Sequence, residues 1–548
     1  MLGIGEYICL SIIIVSIILK LFTKYVAIGL IFIVASLIIW KINDLSNYWK
    51  KQNIPSAKGK FGVGNLLELL SDIKGCDQKW KKEFGETYGT MMGLRPDLTT
   101  TNLDIIKEVY VKQFDKFIDR ESFMATTTKK DKSIFFNIMS VKRGEDWRRV
   151  RNLCSPAFTT GKMKMFVKYF NETVDRTLEI LNNYEKENKA IDMKELCDGM
   201  TIDSIFKSTF GLKTDIQEDP NNIIRKYARS IFNIEKIDLG FLFGLLFPNI
   251  SIILRIYFNY HTKNDKEIKY FTDILSQCYE KRKKELNEGI NNEVSDFFKV
   301  LLQSLNEDED ENDNNEMEDD KEIIFEKATQ KQKKKGMSKI EILSQGFAFL
   351  LAGYETTAST IHFLLYMLAH HQEYQDRCRE EILEALEGKS IDYIDYDTAN
   401  KLNYLDQCVK ECLRMYPSVL RINRVCVEKT TVHGITIEPD TMVSVPIFNL
   451  HYDEKIYPQP DIFDPERFSP EQRAGRDPLY YLTFGYGPRN CIGMRYAYLS
   501  MKVYLARFLL KYKFVTCDET LPLPLEIITR GLTKPIKPLY LKVEKISH

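Results

Sequence analysis

Two apolar runs open the chain, Tyr7–Leu19 and Tyr25–Trp40, with Lys20 and Lys24 between them. A helix that crosses a bilayer needs about 20 residues, with about 17 as the lower limit, so each run alone is slightly short. Glu6 is the only charged side chain before Lys20, so the basic leader of a cleaved signal peptide is missing. The pattern predicts a retained N-terminal membrane anchor over residues 1–50, crossing once or as a hairpin. Lys41, Lys50, Lys51, Lys58 and Lys60 follow it, and lysines after a span favour the cytoplasmic side.

Asn53–Asn65, with its Pro and Gly residues, reads as the joint to a globular part covering 51–548. Helical periodicity dominates from there. Ile191–Phe210 is one example, and Ile268–Leu286 another, with Ile268, Phe271, Ile274, Leu275 and Cys278 recurring at three and four. Ser338 and Glu341 have capping-box spacing and predict a helix to about His370, roughly 50 Å long. Strand-like stretches are fewer, Val432–Ile437 and Met442–Phe448, around the turn residues Pro439 and Asp440. The predicted class is mainly α with a minor β region. Gly240–Leu254 is uncharged and strongly apolar, but it is short for a span and holds Pro248. It suits a buried core segment or a surface element that dips into lipid and lines a route for apolar ligands. Asn306–Lys335 breaks the helical pattern with an acidic block followed by a basic one. Like charges in blocks repel and supply no core, so 306–336 is predicted to be a disordered charged insert.

Formal net charge is zero, so no global field points to nucleic acid. The 11 cysteines are scattered, form no C-x-x-C pair and show no zinc spacing. That fits free thiols in a reducing compartment better than a disulfide framework.

Four constellations carry chemistry. In Phe484–Gly493, FGYGPRNCIG, three glycines let the backbone turn sharply and approach a flat ligand. Cys491 lies just before the helix-like run Met494–Leu510, where a helix N-terminus is expected to lower a thiol pKa. Arg489 is placed to meet an anionic group. Second, Glu411 and Arg414 lie three apart on one helix face with apolar flanks, so a buried bidentate pair is expected. Third, Ala352-Gly353-Tyr354-Glu355-Thr356-Thr357 sits in the middle of the long helix. Glycine there costs about 1 kcal/mol relative to alanine. Thr356 can donate to the Ala352 carbonyl and loosen the ladder, although a packing groove for another helix would use the same residues. Fourth, Trp147 and Arg151 share a helix face, while Arg148 and Arg149 point elsewhere and form a basic patch with Lys142 and Arg143.

The Cys491 segment resembles the heme-binding loop of the cytochrome P-450 superfamily, F-x-x-G-x-R-x-C-x-G, at every fixed position. The same family has E-x-x-R, A-G-x-[DE]-T-T and a P-E-R-F segment, here Pro465-Glu466-Arg467-Phe468. The stretches WRRVRNLCSPAFTTGKMK, AGYETTAST, DPERFSPE and FGYGPRNCIGMRYA are most similar to microsomal drug- and steroid-oxidising members of family three. Two departures stand out: the proline-rich hinge is reduced to Pro55, and the charged insert has no family counterpart.

The resemblance implies the cytochrome P-450 fold with heme b (iron protoporphyrin IX) between two helices and Cys491 as its axial metal ligand. Thiolate ligation favours O–O cleavage. Phe484 would pack against the sulfur. Arg489, Trp147, Arg151, Arg120 and Arg424 would hold the propionates, while Glu411, Arg414 and Arg467 would position the loop. Glu355 and Thr356 would form the acid–alcohol pair that organises proton delivery. The implied activity is a monooxygenase inserting one oxygen atom of O2 into xenobiotics, steroids or fatty acids. The implied partners are NADPH-cytochrome P-450 reductase, which would meet the Arg148–Arg149 patch on the thiolate side, cytochrome b5 and the lipid bilayer. The implied location is the endoplasmic reticulum membrane with the catalytic domain cytoplasmic. A peroxide-rearranging heme-thiolate isomerase or synthase, and a non-catalytic heme carrier or sensor, are the alternatives. The intact Glu355–Thr356 pair argues against both.

Overall fold

The computed structural model describes residues 3–19, 24–121, 133–212, 214, 216–232, 264–288, 297–305 and 336–546. The Gly240–Leu254 segment and the charged insert, apart from Gly336, lie outside the described residues.

The apolar N-terminal runs form helices Ile4–Leu19 and Lys24–Ser46. Among the described residues one helix is long and apolar enough to cross a membrane, through Gly29–Ser46. Its large side chains Phe32, Ile33, Leu37 and Trp40 are exposed, an arrangement suited to contact with lipid. The helix ends close to a fixed point. Trp49 is buried against Leu98 and Ile106, and its indole N–H donates to the Thr90 carbonyl at 2.9 Å. A Cβ on Gly89 would stand 2.2 Å from Trp49 Cγ, so the strand accommodates the indole only because residue 89 is glycine. Trp49 thus belongs to the globular part, just before the boundary expected at residue 50.

Lys339–His370 is the central helix, 32 residues long, or roughly 48 Å at 1.5 Å per residue. Its capping box forms as predicted: Ser338 Oγ accepts from the Glu341 N–H, and Glu341 accepts from the Ser338 N–H. It packs most extensively on helix Met193–Phe210, which Asp192 caps through the Lys194 and Glu195 N–H groups. Helix Met494–Lys511, which follows the cysteine loop, packs on Thr160–Lys186. Apolar faces from these four helices dominate the largest buried cluster.

The minor β region is a four-stranded mixed sheet ordered Thr87–Met92, Arg95–Thr100, Met442–Pro446, Arg421–Val425, with smaller two- and three-stranded pieces. The outer pairings are antiparallel, and Arg95–Thr100 runs parallel to Met442–Pro446. Val432–Ile437 is not one strand. It is the tip of a hairpin in which Val432 faces Ile435, turning through His433 (φ 46°) and Gly434 (φ 80°). Two successive left-handed residues make the tight turn that suits the strand twist. The Met442 strand stops at Pro446, and Ile447–His451 is a short helix.

The charged insert leaves and re-enters the fold at one place. Leu305 and Met337 form a parallel bridge, and the Met337 N–H donates to the Ser304 carbonyl at 2.7 Å.

Candidate active site

The cysteine loop is built by glycine geometry. Gly485 and Gly487 adopt φ of 71° and 73°, the left-handed region that disfavours side chains. A Cβ on Gly487 would lie 2.2 Å from the Tyr110 carbonyl oxygen. The Cys491 N–H donates to the Phe484 carbonyl at 2.8 Å, and the Asn490 N–H to the Gly487 carbonyl at 3.0 Å. Gly493 then caps the Met494–Lys511 helix. The ring of Phe484 packs on Tyr498 with centroids 5.0 Å apart.

The Cys491 thiol is accessible, yet protein surrounds it closely enough that burial dominates its acidity. Burial pushes its pKa above the usual thiol value. The Gly493 and Met494 N–H groups and the charges of Arg151 and Arg120 act in the opposite direction. The helix N-terminus therefore works as expected, but the predicted net lowering does not result: desolvation of the charged form outweighs it.

Four arginines bracket this loop. Arg120 donates to the Arg489 carbonyl. Arg151 donates to the Asn490 carbonyl at 2.8 Å and to its side-chain oxygen at 3.0 Å. Arg424 donates to the carbonyls of Asn423 and Tyr486 and lies 4.3 Å from the Tyr110 ring centroid. Arg489 donates to the carbonyls of Ile118 and Lys142 and stacks 4.6 Å from the centroid of buried Trp147. Trp147 thus supports the cluster through Arg489. Burial lowers the pKa of all four. Repulsion from Arg120 adds to this, leaving Arg489 at about 9 and Arg424 well below the usual range. Asp119 is the acid that Arg489 senses, but its Oδ1 accepts the Gly144 N–H at 2.7 Å. The Nε groups of Arg120 and Arg424 are buried without a partner. So much positive charge, buried at Arg424 and Arg489 and half-buried at Arg120 and Arg151, without ion-paired carboxylates among the described residues, suits an anion carrying at least two negative charges.

The predicted structural group assembles as a buried network. Glu411 and Arg414 are fully buried and bind bidentately at 2.7 and 2.8 Å. Arg414 also donates to the carbonyls of His451 at 2.9 Å and Pro460 at 2.7 Å. Arg467 Nε stands 3.4 Å from Glu411, and the Asp464 N–H donates to Glu411 at 3.1 Å. The desolvation cost of burying the pair is offset by its bidentate geometry and by these further hydrogen bonds.

On the central helix, Thr356 donates to the Ala352 carbonyl at 2.6 Å. Ala352 is exposed, and Gly353 and Thr356 are half-buried, between buried neighbours. The packing role is real as well: a Cβ on Gly353 would lie 2.8 Å from Ile205 Cδ1, so the motif also lets the Met193–Phe210 helix approach. Glu355 points away to a residue the sequence did not single out, Lys194, with N···O at 3.0 Å. Lys194 also pairs with buried Asp198 at 2.5 Å, and Asp198 with Arg229 at 2.8 Å.

The expected basic patch is largely neutralised. Arg149 donates to the Gly336 carbonyl at 2.6 Å and bidentately to buried Glu341 at 2.7 and 3.2 Å. Lys142 pairs with the same carboxylate at 2.7 Å, and Arg143 with Glu121 at 3.1 Å. Arg148 alone keeps an exposed side chain, itself paired to Asp115 and Glu145.

The family model described as Cytochrome P450 matches residues 55–543. The chain belongs to the cytochrome P450 family. It is 33% identical to Cytochrome P450 3A9 of Rattus norvegicus over 496 residues, 90% of this chain and 92% of the relative. Cytochrome P450 3A41 of Mus musculus is 32% identical over the same shares. Cytochrome P450 3A28 of Bos taurus is 31% identical over 516 residues, 94% of this chain and 95% of its own. As a member of this family the chain is a monooxygenase, and its cofactor is heme b. The residues present fit that group. An accessible thiol lies in a glycine turn, and the four guanidinium groups around it, without carboxylate partners among the described residues, supply positive charge for two propionates.

Proposed function

We propose that Cys491 is the axial ligand of the heme iron, and that Arg120, Arg151, Arg424 and Arg489, the last braced by Trp147, hold the propionates. Phe484 packs beside the sulfur, and Glu411, Arg414 and Arg467 hold the loop in place. The observation that carries this reading is the clustering, around the loop that presents Cys491, of half-buried Arg120 and Arg151, buried Arg424 and the loop's own buried Arg489, none ion-paired to a carboxylate among the described residues. Bound heme supplies O2 activation and oxygen transfer. Substrate, O2, two electrons and two protons give hydroxylated product and water. The chain's own contribution to the reaction is proton handling. Thr356 has committed its hydroxyl proton to Ala352, so its lone pairs are left to hold a water molecule. The Glu355 carboxylate, held by Lys194, is the relay that passes protons on to it.

In this reading the substrates are lipophilic small molecules: xenobiotics, steroids or fatty acids. Electrons come from an NADPH-dependent cytochrome P450 reductase, with cytochrome b5 as a second donor. The N-terminal segment up to Ser46 anchors the protein in the endoplasmic reticulum membrane, and the fold from Trp49 onward is the catalytic domain on the cytoplasmic side. The exposed apolar helix through Gly29–Ser46 supports the anchor.

The test is Cys491→Ala. The strongly red-shifted absorption band of the reduced carbon-monoxide complex is expected to disappear. Survival of that band would mean that another residue binds the iron.

A further inference from the structure

His451 stands between the Glu411–Arg414 pair and the cysteine loop, and it is completely buried. Its carbonyl accepts from Arg414 Nη1 at 2.9 Å. Its ring Nδ1 lies 3.1 Å from the Arg414 carbonyl oxygen. Its Nε2 lies 3.2 Å from the backbone nitrogen of Leu482. A carbonyl can only accept and a backbone N–H can only donate. The two partners therefore dictate one form of the ring: Nδ1 carries the proton and Nε2 is the acceptor. A charged imidazolium would turn an N–H against the Leu482 N–H.

We propose that His451 is a positioning residue that holds the start of the Cys491 loop to helix Asn403–Met415 through this single neutral tautomer. Leu482 is where the loop begins to turn, since its carbonyl accepts the Gly485 N–H at 2.8 Å. Phe484 lies inside that turn, one residue past Thr483, and its carbonyl takes the Cys491 N–H. A second tie lies beside the first. The Tyr481 ring stacks on His451 with centroids 5.4 Å apart and planes 15° apart, and its hydroxyl donates to the Lys410 carbonyl on the same helix. The Glu411–Arg414 pair therefore reaches the loop through His451: Arg414 fixes the histidine backbone and ring, and the ring fixes Leu482.

The charge environment keeps the ring neutral. Burial first, and then the charges of Arg414 and Arg476, push its pKa down to about 3. The joint accordingly holds its form across the working pH range.

This inference rests on reading Cys491 as the heme ligand. In His451→Leu a ring of similar bulk is replaced by a side chain without polar atoms, stranding the Leu482 N–H and the Arg414 carbonyl. In His451→Gln the side-chain amide supplies one donor and one acceptor. The full-length heme-loaded protein is compared in three ways. The reduced carbon-monoxide spectrum of His451→Leu is expected to shift partly from the red-shifted band to a short-wavelength one. Amide exchange in peptides covering Tyr481–Gly485 should quicken by about tenfold, the loss of one buried hydrogen bond. His451→Gln should restore most of both. An unchanged spectrum and unchanged exchange in His451→Leu would overturn the proposal, as would His451→Gln behaving like His451→Leu. Should His451→Leu not fold, imidazole ¹⁵N shifts of histidine-labelled protein decide, with His451 assigned by its absence in His451→Gln. An Nδ1-protonated neutral ring from pH 5 to 9 is expected, and an Nε2-protonated ring or an imidazolium at pH 7 overturns the proposal. A wrong assignment of Cys491 shows separately, as a red-shifted band that survives Cys491→Ala.

Discussion

Lys194 holds the carboxylate of Glu355 at 3.0 Å, while the hydroxyl of the next residue, Thr356, is turned to the Ala352 carbonyl. Burial pushes the Glu355 pKa up, but Lys194 outweighs it and leaves the carboxyl below its ordinary range. Burial likewise opposes the Lys194 charge, while Asp198 and Glu355 raise its pKa overall. A depressed folded-state pKa contributes stability above the unfolded value of 4.5, lost as pH falls through the folded value. The raised Lys194 pKa contributes below 10.5, lost as pH climbs through its own folded value. The pair is therefore fully stabilising between those limits.

Lys194→Met should invert this profile. Glu355 is then governed by burial, its folded pKa rises, and stability relative to the wild type falls as pH increases from about 4.5 to 7. At pH 7 the loss should be about 3 kcal/mol, the lower end for stranding a buried charge, because Lys194 is itself partly exposed. Melting temperature against pH for the two proteins measures it. Parallel curves would refute the ion pair as the control of Glu355.

Thr356→Ala should still bind substrate and consume NADPH but divert oxygen to hydrogen peroxide. Product per NADPH falls severalfold while peroxide per NADPH rises. Thr356→Ser should lie between, because it keeps the hydroxyl and loses only the methyl group that restricts its rotamer. Unchanged coupling in Thr356→Ala would remove the proton-handling role.

Arg149→Glu and Arg148→Glu should differ, although the residues are neighbours in sequence. Arg149→Glu sets a second carboxylate against buried Glu341 and should cost about 3 kcal/mol. It should lower reductase-driven and peroxide-driven turnover alike. Arg148→Glu loses only exposed pairs, worth about 1 kcal/mol or less. Any loss there should be confined to reductase-driven turnover and shrink with added salt. Melting curves and turnover with each oxidant supply check both.

Cleavage within residues 306–335 should leave heme content and activity intact. Leu305 and Met337 remain bridged, and the Arg149 tie to Gly336 lies outside the cut. Heme release after a single cut, followed by absorbance, would show that the segment packs.

The sequence disclosed the site better than the sheet. The cysteine loop, Glu411–Arg414 and the Thr356–Ala352 bond depend on local spacing, so their geometry follows from residue order. Strands Thr87–Met92 and Arg95–Thr100 escaped because Gly89 and Pro96 interrupt the alternation, and Gly89 is explained only by distant Trp49. The roles of Arg149, Lys194 and His451 were also hidden. Each is fixed by a partner far along the chain: Glu341, Glu355 and Leu482. The acidity of Cys491 went the other way for the same reason, since spacing reveals a helix terminus but not the depth of burial.

Trp49 has a consequence beyond packing. It lies three residues past the end of the apolar helix and is locked to Thr90 and Gly89 in the sheet, so little slack separates the span from the catalytic fold. If the helix anchors the protein as proposed, its fit to the thickness of the bilayer sets how it tilts. With the joint held this short, such a tilt would be passed to the whole domain, so lipid thickness would set the angle at which the catalytic fold meets the membrane surface.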